Sequence, residues 1–357
     1  MLKDKIHVSA TEVVYTDEQL SYTVDGSCCK LRRPDGKIDF LTTDLGNKPF
    51  YRHFVGTADD PFAEEVEPFE WDYNNFKQKW PCGLWVQSAY KCEDGLLIGF
   101  THREDLHRSD LDYPQNYHIG FSISRDGGQH WKYLGDMIGT CRNYISKRRS
   151  NGVWPNICGV PYVAGKDGYF YIFFNEWNVN AERYTSVARI PMKESIEMAR
   201  REENPAALMK KYSGNGVWDT EPMFGTAPRI LPEDCDDIVF HEEIGYKYDC
   251  HGNAAYCSAL DKYILCVQSA RQLVMFLSDD CVNWDEHVVL STANPDKGLY
   301  FYSTIVGNDD EASHDFSTVG HDFYVYFTHK PGFVRLPGNF GDYETDWFCR
   351  VRVTIDK

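Results

Sequence analysis

Asp167-Gly168-Tyr169-Phe170-Tyr171-Ile172-Phe173-Phe174-Asn175-Glu176 is the stretch on which the reading of this chain turns. Asp-Gly suits a tight turn, and an unbroken run of aromatic and β-branched residues suits a strand buried on both faces. The tract becomes polar only where the strand ends. Four other tracts follow the same plan: Asp35-Gly36 to Asp44, Asp94-Gly95 to Glu104, Asp261-Lys262 to Ser269, and Asp322-Phe323 to His329. Before each turn lies a second apolar stretch (28–33, 84–90, 157–164, 253–258 and 302–306), so the repeated unit is a hairpin. Successive turns lie 59, 73, 94 and 61 residues apart, and each interval holds a sheet of four short strands. Two packed sandwiches use as many strands. The even placement of the hairpins favours five sheets around an axis, an all-β five-bladed β-propeller. The expected organisation is one domain over residues 1–357, with the strand at 6–15 completing the last blade. A helical insertion near 192–212 and an acidic loop at 232–243 are expected to lie outside the ring.

Composition narrows the partners. A formal net charge of −17 over 357 residues makes nucleic acid and anionic membranes poor partners, because a phosphate surface needs a basic face. The dense basic run Lys147-Arg148-Arg149 reads as a solvated loop. No apolar stretch approaches the roughly 18 residues of a membrane helix. No secretory signal is visible at the N-terminus, so a cytoplasmic location is expected. The 12 cysteines lack Cys-x-x-Cys zinc spacing, and Cys158, Cys257, Cys266 and Cys349 sit inside apolar strand patterns. They read as free thiols in a reducing compartment.

A sharper motif stands in the second half of the second blade: Ser124-Arg125-Asp126-Gly127-Gly128-Gln129-His130-Trp131, the Ser-x-Asp-x-Gly-x-x-Trp pattern of an Asp-box. A shortened copy is Ser278-Asp279-Asp280-Cys281-Val282-Asn283-Trp284. The Asp accepts backbone N–H groups in the turn and the Trp packs beneath it, so Asp126 and Asp280 are structural. Together with the five hairpins, the motif resembles five-bladed propeller glycoside hydrolases: the family 43 and 62 clan and the domain of unknown function 4185. The tracts that carry the likeness best are Asp25-Gly26-Ser27 to Asp44-Leu45-Gly46, Phe174-Asn175-Glu176, and Phe323-Tyr324-Val325-Tyr326-Phe327-Thr328.

The hairpin geometry states where chemistry is to be sought. The start of a hairpin's first strand and the end of its second lie at the same open end. Asp25, Asp44, Glu104, Glu176, the region of Asp249, His251 and Asn253, and Arg271 are therefore expected at one mouth. Glycoside hydrolysis needs two carboxyl groups across the scissile bond. By analogy with the resembled clan, Asp44 is assigned as base or nucleophile, with Asp25 as its rival, and Glu176 as general acid. Glu104 is the third carboxylate, expected to orient the acid or raise its pKa through like charge. His251, Arg271, Asn175 and His102 are expected to contact sugar hydroxyls, and Trp85 and Trp177 to stack on sugar rings. No metal or cofactor is required, although an axial structural calcium would suit such a ring. The expected activity is hydrolysis of a neutral arabinan-, xylan- or galactan-like glycan. The alternatives are a carbohydrate-binding propeller without catalysis, and a phosphorylase using Arg142 and Lys147 to Arg149 as a phosphate pocket.

Overall fold

The computed structural model describes residues 2–20, 24–43, 51–72, 82–105, 117–139, 157–177, 182–233, 235, 237–238, 247–269, 271–293, 298–331 and 346–357. The chain opens with β1 (Ile6–Val8) and β2 (Glu12–Tyr15). Blade I follows as β3 (Cys29–Arg32), β4 (Ile38–Thr43), β5 (Tyr51–Gly56) and β6 (Glu64–Val66), each paired antiparallel to the next. β7 (Glu70–Asp72) runs parallel to the outer edge of blade II, which is β8 (Cys82–Lys91), β9 (Leu97–Asp105), β10 (Tyr117–Ser124) and β11 (His130–Ile138). Blade III is β12 (Tyr162–Ala164), β13 (Tyr169–Trp177), β14 (Arg183–Pro191) and β15 (Lys210–Lys211). Blade IV is β16 (Asp249–Cys257), β17 (Lys262–Ser269), β18 (Gln272–Ser278) and β19 (Glu286–Thr292). The last blade is β20 (Leu299–Gly307), β22 (Asp322–Lys330) and β23 (Trp347–Ile355), with β21 (Thr318–Val319) between the first two in the chain. β1 and β2 both pair with β23, as Ile6 with Ile355 and Val13 with Cys349. The N-terminal strands thus close the ring, which is the five-bladed propeller expected.

Five clusters of buried apolar side chains form the core, each shared by two neighbouring blades. β13 shows why its sequence is aromatic without a break. Phe170, Ile172 and Phe174 pack towards blade II, while Tyr171 and Phe173 pack towards blade IV. Alternate side chains of a strand point to opposite faces, and here both faces are interior. Complete burial of one such side chain contributes about 1.5–3 kcal/mol.

The helical insertion expected near 192–212 is present as α1 (Met192–Arg200), after which the chain returns to blade III as β15. Its outer residues lie against blade II, where Arg200 bonds Asp94 at 2.8 Å and Asn204 bonds the Asp136 carbonyl. One expectation needs correction: the fifth hairpin has no tight turn. Residues 308–321 leave blade V and cross the ends of the innermost strands. The His314 carbonyl accepts from Arg32 N, Asp315 from Lys91 N, and the Ser317 carbonyl from Tyr256 N. β21 then pairs parallel to β16. This segment floors the axis at the hairpin-turn end.

The turn at 124–131 is built by its side chains. Asp126 Oδ1 accepts from His130 N at 3.0 Å and from Ser124 Oγ at 2.9 Å, and Trp131 is fully buried. At 278–284, Asp280 Oδ1 accepts from Val282 N and Asn283 N above the buried Trp284. Both turns join the third and fourth strands of their blades, away from the axis.

Candidate active site at the open end of the axis

The end of the axis opposite the floor gathers the starts of first strands and the ends of second strands. Three of the innermost strands carry irregular registers there: β8 between Val86 and Ser88, β16 between Asp249 and Asn253, and β20 between Phe301 and Thr304. Such bulges bend the strand and re-aim its side chains. Tyr302, within the β20 irregularity, holds a positive φ of 57°, which for a bulky residue costs roughly 1–2 kcal/mol.

Asp25, at the entry to blade I, is the centre of the first group. Its Oδ1 accepts from Tyr302 OH at 3.0 Å and its Oδ2 from Trp85 Nε1 at 3.1 Å, donors from blades V and II. Gly83 makes the second contact possible, since a Cβ there would lie 2.2 Å from the Trp85 ring. Burial and the charge of Glu104 raise the Asp25 pKa, while the two donors and His251 oppose the rise. Glu104, partly exposed at the end of β9, has its Oε1 2.9 Å from Nε2 of the buried His102. The His102 ring stacks on Tyr117 at 5.7 Å. Burial and the charges of Glu104, Cys158 and Asp25 push the Tyr117 phenol well above its usual range.

The second group lies across the axis. Asp249 Oδ1 accepts from His251 Nδ1 at 2.6 Å, from His251 N at 3.0 Å, and from Asn175 Nδ2 at 3.0 Å. The Arg183 guanidinium is also 3.0 Å from it. Burial works against the charge of Asp249, but Arg183 and His251 hold its carboxyl well below the usual carboxylate range. Burial likewise opposes a charged His251, yet Asp249 and Cys158 raise its pKa well above the usual imidazole value. Cys158 Sγ is 3.4 Å from His251 Nδ1 and accepts from Asn175 Nδ2 at 3.1 Å. The side chains of His251 and Tyr302 meet edge to face at 5.6 Å, which joins the two groups.

Cys158, Asp249 and His251 have ligand atoms within 4.8 Å of one another, the one such set among the described residues. Thiol and imidazole are soft donors and do not suit calcium, which takes oxygen. The set is also already satisfied by N–H donors, with a guanidinium against the carboxylate. It fits a proton-sharing cluster better than a cation site.

The structure sorts the expected residues. Asp25, Glu104 and His251 meet at the mouth. Glu176 does not: its side chain has no exposed surface, and its carboxylate bonds Lys211 Nζ at 2.7 Å and Ala227 N at 3.1 Å. Lys211 also donates to the Gly139 and Gly225 carbonyls, so this pair ties β13 and β15 to the surrounding loops. The general-acid assignment to Glu176 is therefore corrected, because a carboxylate sealed from solvent reaches no substrate. Asn175 is also fully buried and braces Asp249 instead of contacting sugar. His102 and Trp85, 2% and 4% exposed, hold Glu104 and Asp25 and offer no stacking face. Arg271 lies in the turn between β17 and β18, with no bond among the described residues to Asp25, Glu104 or Asp249. Asp44, the side chain of Trp177, Arg142 and 147–149 lie outside the described residues.

Sequence reasoning missed Tyr302, Arg183, Tyr117 and Cys158 as parts of the site. Arg183 and Tyr117 begin the third strands of their blades, so the argument from hairpin ends extends to them. Tyr302 is placed by a bulge and Cys158 by a segment before β12, for which the sequence carries no signal.

No protein-family model matches this chain, and no curated protein matches it in sequence. Among solved structures it is similar to a protein of unknown function from Dyadobacter fermentans, at 11% identity and a TM-score of 0.53 over 99% of this chain and 100% of that one. It is similar to the GH43_1 enzyme from Xanthomonas citri complexed with xylotriose, at 12% identity and a TM-score of 0.51 over 96% of this chain and 88% of that one. The catalytic domain of the Coprinopsis cinerea GH62 alpha-L-arabinofuranosidase gives 9% identity and 0.51 over 97% and 96%. The likeness at these identities is one of fold: the chain shares the five-bladed propeller of glycoside hydrolase families 43 and 62.

Proposed function

We propose that this protein is a glycoside hydrolase acting on a neutral arabinan-, xylan- or galactan-like glycan, with Asp25 as the base or nucleophile. One observation carries the reading. The Asp25 carboxylate stands at the open end of the axis with both oxygens held by donors, while burial and Glu104 disfavour its charge. Two donated hydrogen bonds orient it as an acceptor. The raised pKa makes it a stronger base than an ordinary aspartate. Burial is the larger cause of this basicity and the neighbouring Glu104 carboxylate adds to it, with His102 orienting Glu104. The xylotriose in the similar Xanthomonas citri enzyme and the arabinofuranosidase activity named for the Coprinopsis cinerea domain support a pentose-containing substrate. The hydrogen bonding of Ser124 and Asp126 supports reading 124–131 as an Asp-box, a structural motif only.

The test is reducing-sugar release from arabinans, xylans, galactans and aryl glycosides by wild type, Asp25→Asn and Glu104→Gln. We expect one substrate class to be cleaved, with Asp25→Asn lowering the rate about 10³-fold or more and Glu104→Gln about 10–10²-fold. No cleavage of any glycan, or an Asp25→Asn variant as active as wild type, overturns the reading in favour of a carbohydrate-binding propeller.

A further inference from the structure

The carboxylate pair above accounts for a base but not for the proton that the departing sugar oxygen requires. We infer that His251, oriented by Asp249, is the general acid of this mouth. The inference rests on the hydrolase reading and adds a residue to it.

The geometry is that of an oriented imidazole. Nδ1 of His251 is 2.6 Å from Asp249 Oδ1. Asp249 is kept as an acceptor by Arg183 and Asn175, so Nδ1 carries the hydrogen of that contact. Both contacts of the ring use Nδ1, Nε2 bonds none of the described residues, and the side chain is 14% exposed, so Nε2 is the nitrogen left for a substrate oxygen. The ring is pinned between His102, edge to face at 6.0 Å, and Tyr302. The Tyr302 hydroxyl in turn holds Asp25, so the imidazole and the base share one support. The main chain is fixed as well. Ser27 Oγ, two residues after Asp25, donates to the Gly252 carbonyl at 2.9 Å and to the His251 carbonyl at 3.3 Å. Asp25 offers no comparable donor, since both of its oxygens accept.

The step balances. The glycosidic C–O bond breaks and its electron pair goes to the leaving oxygen, which takes the Nε2 proton. Water supplies the hydroxyl that joins the anomeric carbon, and its second proton goes to Asp25. That proton returns to His251 through solvent, leaving Nδ1–H on Asp249 throughout.

The groups facing His251 are Asp249, Cys158, Asp25, Tyr302 and His102, with Arg183 behind Asp249 and Glu104 behind His102. Asp249 and Cys158 outweigh burial, so the imidazolium persists above the usual pKa of 6.5.

The experiment compares glycosides of the sugar cleaved in the panel, carrying 2,4-dinitrophenolate, 4-nitrophenolate or methanol as leaving group. An activated leaving group needs no proton, whereas an alkyl oxygen does. His251→Gln is expected to lose about 10²-fold or more on the methyl glycoside and under tenfold on the dinitrophenyl glycoside. The falling alkaline limb of the wild-type pH–rate profile is expected above 6.5. In Asp249→Asn, which removes the charge that raises the imidazole pKa, that limb moves to lower pH with the protein still folded by its melting transition. Equal losses of His251→Gln on all leaving groups, or an alkaline limb unmoved in both variants, overturn the inference while leaving the hydrolase reading intact. Absence of cleavage by wild type, or full activity of Asp25→Asn, overturns that reading and the inference with it.

Discussion

Glu104 and Glu176 close equivalent strands of neighbouring blades, and in sequence they look alike. Glu104 stands ten residues after Asp94, and Glu176 stands nine after Asp167. The turns superpose by their bonding, since Gly95 N bonds the Cys92 carbonyl and Gly168 N the Gly165 carbonyl. The one-residue difference therefore survives to the strand end, where it puts the two side chains on opposite faces. Even offsets, at His102, Glu104 and Asn175, face the following blade and the axis. Odd offsets, at Arg103 and Glu176, face away and are neutralised in place, Arg103 by Asp136 at 2.6 Å and Glu176 by Lys211. The residue equivalent to Glu104 is Trp177, and the residue equivalent to Glu176 is Arg103. Parity along a strand, more than residue type, separates the candidate site from the scaffold.

This contrast is open to direct attack. The largest expected effect is on stability. Glu176→Gln strands the Lys211 ammonium in a sealed interior and should cost about 3–5 kcal/mol, read as a fall in the urea midpoint, while the folded fraction keeps its turnover. Glu104→Gln should do the reverse, losing turnover with stability within about 1 kcal/mol of wild type. A Glu176→Gln variant that is stable but inactive would break the distinction. Asp25→Asn adds a sign test. A group whose folded pKa is raised loses stability as pH climbs from its unfolded value through its folded one, so removing the charge should leave the melting temperature at pH 7 unchanged or higher.

Next in size is Asn175→Ala, which withdraws donors from Asp249 and Cys158 and should cost about 1–3 kcal/mol. Asp249 is a depressed group, so its contribution is present above the unfolded aspartate value near 3.8 and is lost as pH falls through the folded one. Acid unfolding of Asn175→Ala should therefore begin at higher pH than in wild type. Trp85→Phe has a smaller effect. It removes one donor from Asp25, so the acidic limb of the pH–rate profile should move to higher pH. The smallest is Asp126→Ala, at about 1 kcal/mol with turnover unchanged, since that turn lies at the periphery.

Much of the architecture was legible. The Asp-Gly turns, the aromatic strands and their spacing yielded the five blades and their closure by the N-terminal strands, because both signals are local: turn chemistry and two-sided burial. Asp25, Glu104 and His251 were within reach for the same reason, since hairpin geometry assigns them to one end. Glu176 differs from expectation by the parity of its offset, whereas Asn175 is on the axial face and differs because it is fully buried against Asp249. Trp85 and His102 failed because sequence does not say whether an aromatic at a mouth faces solvent or a neighbouring carboxylate.

Periodicity and turn residues, which act over a few positions, determined by themselves the ring, its blades and the end at which chemistry is gathered. Only the tertiary structure decided which carboxylates reach the open end of the axis. That choice depends on bulges in β8, β16 and β20 and on partners far along the chain, such as Lys211 for Glu176 and Tyr302 for Asp25. A charge brought out of water is stable only where a partner meets it, and no local pattern encodes a partner 35 or 277 residues away.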